Sequence, residues 1–211
     1  MINKSCQNHQ NTSKVIKVMT ITLLESFFSN IWHTYLYNVL SHLYSCSFVD
    51  GAVPLSYKAA YVTPLLKKPD LDPSDARSYR PISNLSVVSK LLERLVAKRM
   101  LCYLTSSGLM PSLQSAYRVH HSTETAVLRV MADILQALDR GDFTAVAFLD
   151  LSAAFDTVDH ATLLRRIELS YGIRGMALSW LRSYLSDWTQ FVRSGSTSSR
   201  PAVLYYGVPQ G

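Results

Sequence analysis

Paired cysteine chemistry is missing from this sequence. Cys6, Cys46 and Cys102 are odd in number and far apart, with no CxxC spacing and no Cys/His pairing. Neither a disulfide framework nor a zinc site follows, and a reducing compartment is the default. A long uninterrupted apolar run is missing as well. The one membrane candidate, TITLLESFFSNIWHTYLYNVLSHLYSCSFV, is broken by Glu25, Asn30, His33, Asn38 and His42, so spanning is not expected. The opening MINKSCQNHQNTSK is polar and has no signal-peptide core, which points to an intracellular product. There is no internal repeat. Charged residues make up only 17% of the chain and apolar ones 48%, a balance that excludes a disordered protein.

What is present is enough chain, 211 residues, for one substantial core or two small subdomains. The net charge is +6, and nearly all of the excess lies in residues 51–140. A basic segment of this kind suits a polyanionic partner.

The apolar spacing then outlines the elements. Leu24, Phe27, Phe28, Ile31 and Tyr35 fall at helical spacing, predicting one or two amphipathic helices packed on a core within residues 19–50. YKAAYVTPLLKKPD reads as a short strand broken by Pro64 and Pro69, and KKPDLDPSDARSYRPIS as a loop. A helix is expected over residues 86–104, with Val88, Leu91, Leu92 and Leu95 on one face. Lys90, Arg94 and Lys98 form a basic line along it, which is either a solvated face or a phosphate contact.

Ser122 or Thr123 caps a further helix carrying Val127, Val130, Met131, Ile134, Leu135 and Leu138. FTAVAFL, continuous and β-rich, predicts a strand buried on both faces. Two helical patterns, ATLLRRIEL and RGMALSWLRSYL, and two strand patterns, TQFVRSG and PAVLYY, complete the chain. The fold class is mixed α/β (α+β).

Three aspartates, Asp150, Asp156 and Asp159, follow the FTAVAFL run. A carboxylate at the exit of a buried strand is held by rigid backbone and suits a hard cation shared with substrate phosphates. Asp150 is the candidate ligand. Asp156 has turn hydrogen bonding as its alternative reading, and Asp159 has helix capping.

FLDLSAAFDTVDH resembles the first catalytic motif of reverse transcriptases, especially those of non-LTR (LINE-type) retrotransposons. Further segments are similar to that family in the same order. They are VPLSYKAAYVTPLLKKPD, SYRPISNLSVVSKLLERLVAKRM, LQSAYRVHHSTETA, GIRGMALSWLRSYLSDWTQFV and the closing GVPQG.

The resemblance implies a right-hand polymerase fold and RNA-directed DNA synthesis. The polar residues 1–18 are expected to form a disordered tail, and the amphipathic lead-in over 19–50 is similar to the helices that precede the family's fingers. The resemblance itself divides the rest into fingers over about 51–140 and a partial palm over about 141–211. It makes Asp150 the catalytic residue and a Mg²⁺ ligand, with the Leu151 carbonyl beside it. Phe155 would lie under the incoming sugar and exclude a 2′-OH, while Arg80, Gln210 and Gly211 would line the nucleotide pocket. Lys67, Lys68, Lys90 and Arg118 would meet nucleic-acid phosphates. The implied partners are an RNA template, a DNA primer and deoxynucleoside triphosphates, with no membrane.

One departure stands out. Members of the family carry an [FY]-x-D-D motif and a thumb after GVPQG, and many carry an endonuclease domain ahead of the polymerase. None of these is in the 211 residues. The expectation is a chain that is inactive by itself. The alternatives are a non-catalytic RNA- or DNA-binding remnant of the fingers and an unstable relic.

Overall fold

The computed structural model describes residues 30–151 and 153–208. The expectations for residues 1–29, including Leu24, Phe27 and Phe28, and for Gln210 and Gly211 lie outside the described residues. The chain divides into two compact units, Met1–Met100 with Ala153–Gly211, and Leu101–Ser152.

The first unit is built on helix α1 (Asn30–Asp50). Leu40, Ser41, Tyr44 and Ser47 are its buried positions, a one-sided set at helical spacing. Tyr35, expected on the core stripe, is instead 74% exposed. The Trp180 indole donates to Ser47 Oγ at 2.9 Å, and Ser47 in turn donates to the Ala52 carbonyl at 2.6 Å. A buried indole N–H and a buried hydroxyl therefore satisfy each other's needs.

Strand β1 (Ala59–Leu66) does not stop at Pro64. It pairs antiparallel with β2 (Tyr79–Asn84), where Pro64 stands opposite Pro81, and parallel with β3 (Trp188–Ser194) only over Ala59–Val62. Neither proline can donate across the pair, so this position has to be one whose backbone groups face outward. Outward from Pro64, the pairing with β3 has already ended; outward from Pro81 is a sheet edge. The loop expected over residues 67–83 is corrected accordingly, because its last part is strand β2. The short strands β4 (Thr197–Ser198) and β5 (Ala202–Leu204) pair with β3 on its other side.

Helices α2 (Val87–Ser106), α4 (His160–Tyr171) and α5 (Gly175–Leu185) complete the core. On α2, Leu92 and Leu95 are buried, with Val88 and Leu91 packed beside them, as the spacing predicts. They meet Leu40, Tyr44, Val53 and Trp180. The other side of α5 buries Leu178 and Leu185 against Leu164 of α4. Trp180 stacks on Tyr184 at 5.6 Å between ring centroids, and Tyr184 meets Trp188 edge-on at 5.6 Å. This aromatic row carries α5 into β3.

The second unit holds α3 (Thr123–Asp139), capped by Ser122. The Ser122 hydroxyl accepts from the Thr125 N–H at 3.2 Å, and Thr125 Oγ1 accepts from the Ser122 N–H at 2.9 Å. This reciprocal box starts the helix where the sequence predicts. No described residue of the unit is buried. On α3, Val127, Leu128, Val130, Met131, Leu135 and Leu138 are exposed, and Ile134 is half-buried.

The expectation of a buried strand at FTAVAFL is overturned. Residues 143–151 have no regular structure, and Phe143, Phe148 and Leu149 are more than nine-tenths exposed. A strand buried on both faces needs hydrogen-bonding neighbours and packed layers, and the described residues of this unit include no other strand. β-propensity without a partner does not make a strand. No helix of the described residues is long and apolar enough to cross a membrane.

Candidate functional site

The aspartate turn is organised from its own backbone. Ala153, with φ 52°, accepts from the Asp156 N–H at 2.9 Å and from the Thr157 N–H at 3.1 Å. Asp156 lies in this turn. Asp159 caps α4, accepting from the Thr162 N–H at 2.7 Å. Hydrogen bonding from the Thr162 side chain, together with this N–H, holds its carboxyl below the usual aspartate range. The capping alternative for Asp159 is therefore the one the structure carries.

The segment at Gly207 is fastened to the same turn. Gly207 N–H donates to the Val158 carbonyl at 2.8 Å, and Val208 N–H to the Phe155 carbonyl at 2.9 Å. His160 Nε2 lies 2.7 Å from the Gly207 carbonyl. Gly207 is buried with φ 79°, and a Cβ there would sit 2.7 Å from Phe155 O and 2.8 Å from Asp156 Cα. Only glycine fits so close to another backbone. Phe155, 40% exposed, is thus presented from a backbone pinned by the start of GVPQG.

In the second unit, Asp150 is exposed and accepts from the Leu151 N–H at 3.0 Å. Its carboxylate and the Leu151 carbonyl are hard oxygen donors of the kind Mg²⁺ takes together with phosphate oxygens. They fit the ion in chemistry. Among the described residues, no group of three or more acidic, histidine or cysteine side chains converges into a metal site.

The basic candidates lie on several elements. In the first unit Arg80 is exposed on β2, Lys67 donates to the Arg77 carbonyl at 2.8 Å, and Lys68 is exposed. On α2, Lys90 is half-buried while Arg94 and Lys98 are exposed. None of this line is among the ion pairs of the described residues, which are Arg77–Asp75, Arg129–Asp133 and Arg140–Asp142. In the second unit Arg118 directs Nη1 to the carbonyls of Pro111, Ser112 and Gln114, closing its own loop.

A model of the reverse transcriptase (RNA-dependent DNA polymerase) family matches residues 66–211. The chain belongs to that family. It is 37% identical over 158 residues to the "Probable RNA-directed DNA polymerase from transposon BS" of Drosophila melanogaster, which covers 75% of this chain and 17% of that protein. It is 30% identical over 161 residues to the "RNA-directed DNA polymerase from mobile element jockey" of the same organism, covering 76% of this chain and 17% of the other. Over 162 residues it is 29% identical to the "Retrovirus-related Pol polyprotein from type-1 retrotransposable element R2" of Popillia japonica, covering 76% and 22%. The chain spans about a sixth to a fifth of the length of these relatives. It is a reverse transcriptase-like domain of the non-LTR, LINE-type polymerases.

Two features of this reverse transcriptase chain escaped the sequence. The His160–Gly207 contact joins residues 47 apart; its only local signal is a histidine directly after a capping aspartate. The second is buried Lys58, whose Nζ donates to Ser183 Oγ at 3.2 Å. Nothing in KAAYVTP marks that lysine as buried.

Proposed function

We propose that the chain is the fingers and first palm segment of a right-hand, RNA-directed DNA polymerase of a LINE-type retrotransposon. Its substrates are a primer annealed to an RNA template and deoxynucleoside triphosphates. The observation that carries this reading is the joining of two family motifs, the Phe155–Val158 turn and Gly207–Val208, through backbone hydrogen bonds of 2.8 and 2.9 Å.

Each residue has a part in that chemistry. Phe155 rests against the sugar and excludes a 2′-OH by contact, and Gln210 and Gly211 carry the family's nucleotide-pocket role. Arg80 meets triphosphate oxygens, and Lys67, Lys68, Lys90 and Arg118 meet template phosphates. Asp150, with the Leu151 carbonyl, holds Mg²⁺. When bound, the ion polarises the phosphoryl oxygens and lowers the pKa of the attacking hydroxyl. Phosphoryl transfer is mostly positioning and charge neutralisation, and these side chains supply both.

The 211 residues contain no [FY]-x-D-D pair. Taken alone, they are expected to bind primer–template and nucleotide without extending the primer. Arg94 and Lys98, exposed and outside the ion pairs of the described residues, favour a second reading, nucleic-acid binding without catalysis.

The test is fluorescence anisotropy of a labelled RNA–DNA primer–template, run beside a Mg²⁺ extension assay of the chain and of Asp150→Ala. If about three phosphates are neutralised, affinity should fall roughly 20–40-fold between about 50 and 200 mM salt. Absence of salt-dependent binding would remove both readings. Extension that Asp150→Ala abolishes would show that the chain completes its own metal site.

A further inference from the structure

We infer that His160 is a positioning residue that holds the sugar-contacting Phe155 in place by clamping Gly207. The inference rests on the proposal that Phe155 reads the sugar of an incoming nucleotide.

Three contacts fasten the Gly207 segment to the Phe155–His160 turn. Two are backbone bonds, Gly207 N–H to Val158 O and Val208 N–H to Phe155 O. The third comes from a side chain, the His160 ring at 2.7 Å from Gly207 O. A carbonyl only accepts, so Nε2 carries the proton and donates.

The clamp is anchored on a rigid element. His160 is the first residue of α4, and its neighbour Asp159 is fixed by the 2.7 Å bond from Thr162 N–H. Gly207 thus has its N–H and its carbonyl held by successive parts of one turn, Val158 and His160. It also has no slack, since the space for a Cβ is filled by Phe155 O and the Asp156 backbone.

This geometry transmits directly to Phe155. The Phe155 carbonyl is both the acceptor for Val208 N–H and the atom that would lie closest to a Gly207 Cβ. Releasing the Gly207 carbonyl loosens the strap that fixes the Phe155 backbone. Discrimination between a hydrogen and a hydroxyl by steric contact depends on placement to well under an ångström. Misplacement by about 1 Å can cost about 100-fold in rate.

The experiment compares the full chain with His160→Leu, which removes the donor, and His160→Gln, which keeps an amide N–H within reach. Two readouts are taken. Amide hydrogen exchange at Gly207 and Val208 reports the clamp, and the affinity ratio for Mg²⁺-dATP over Mg²⁺-ATP reports sugar selection.

His160→Leu is expected to accelerate exchange at both amides roughly tenfold while the α4 amides stay protected. It should also lower the deoxy preference by about 10-fold or more. His160→Gln should restore both. Should His160→Leu expose the α4 amides, His160→Phe, which keeps the ring volume without the donor, takes its place.

Unchanged exchange in the donor-less variant overturns the clamp. Faster exchange with an unchanged deoxy preference overturns the link to Phe155. A wild-type chain with no deoxy preference removes the nucleotide reading beneath the proposal and with it the role in sugar selection, leaving exchange to judge the clamp alone.

Discussion

Tyr184 donates its hydroxyl to the Glu93 carboxylate at 2.5 Å, tying α5 to α2 inside the core of the first unit. Burial pushes the Glu93 carboxyl above the ordinary glutamate range, and the Tyr184 bond and nearby Lys90 act against that shift. Tyr184→Phe leaves a partly buried carboxylate without its donor, so it should lose about 1–3 kcal/mol in urea unfolding at pH 7.

The same pair sets a pH dependence. With its folded pKa raised, Glu93 keeps its proton in the folded chain after the unfolded chain has lost it. Its contribution is therefore fully present below the ordinary glutamate pKa and declines as pH rises through the raised value. Glu93→Gln should flatten that part of the Tm-against-pH curve; an unchanged slope would show that Glu93 is not the group responsible.

Lys58 is a separate case. Burial pushes its ammonium below the usual lysine range, and Asp187 opposes the shift. A lysine with a lowered folded pKa works against folding while it is charged in both states. Stability should then rise with pH from the lowered value toward the ordinary one. Lys58→Met should raise stability at pH 7 by about 1 kcal/mol and remove the alkaline rise. A loss of several kcal/mol would mean that the bond to Ser183 outweighs desolvation.

Two glycines with nearly equal φ separate strain from crowding. Gly141, at φ 77°, has nothing within 4 Å of a Cβ position, whereas Gly207, at φ 79°, has Phe155 O at 2.7 Å. Gly141→Ala should cost about 1–2 kcal/mol from the left-handed conformation alone. Gly207→Ala should cost distinctly more, because backbone atoms have to move as well. Chemical denaturation of the two variants compares them directly.

Exposure of α3 leads to a prediction about what does not matter for stability in this chain. Leu135→Gln, at a position 55% exposed, should shift stability by no more than about 0.5 kcal/mol. Leu92→Ala, at a position 2% exposed, should cost about 2–5 kcal/mol. Equal losses would place α3 in a packed interior.

Local signals were the legible part of the sequence. Ser122 and Asp159 cap helices through partners three residues away, and Leu92 and Leu95 sit on the apolar face that a 3.6-residue period marks. Features that depend on distant partners were not legible in the same way. Residues 67–83 read as a loop because prolines and aspartates dominate them, yet the last part belongs to the strand Tyr79–Asn84, since Pro81 fits where its missing N–H faces a sheet edge. Residues 143–149 have every intrinsic mark of a strand and form none, since strand formation needs a neighbour that local sequence does not specify. Phe155 and Gly207 could be associated through family resemblance alone; the His160 contact with Gly207 depends on how α4 starts and was invisible.

The most direct test of the account is photocrosslinking with a photoreactive deoxynucleoside triphosphate in the presence of Mg²⁺, followed by peptide mapping. Crosslinks that unlabelled nucleotide displaces, falling within 153–160 and 205–211, are the predicted result. Displaceable crosslinks confined to other peptides, or no displaceable crosslink at all, would contradict the assignment of this turn as the nucleotide pocket.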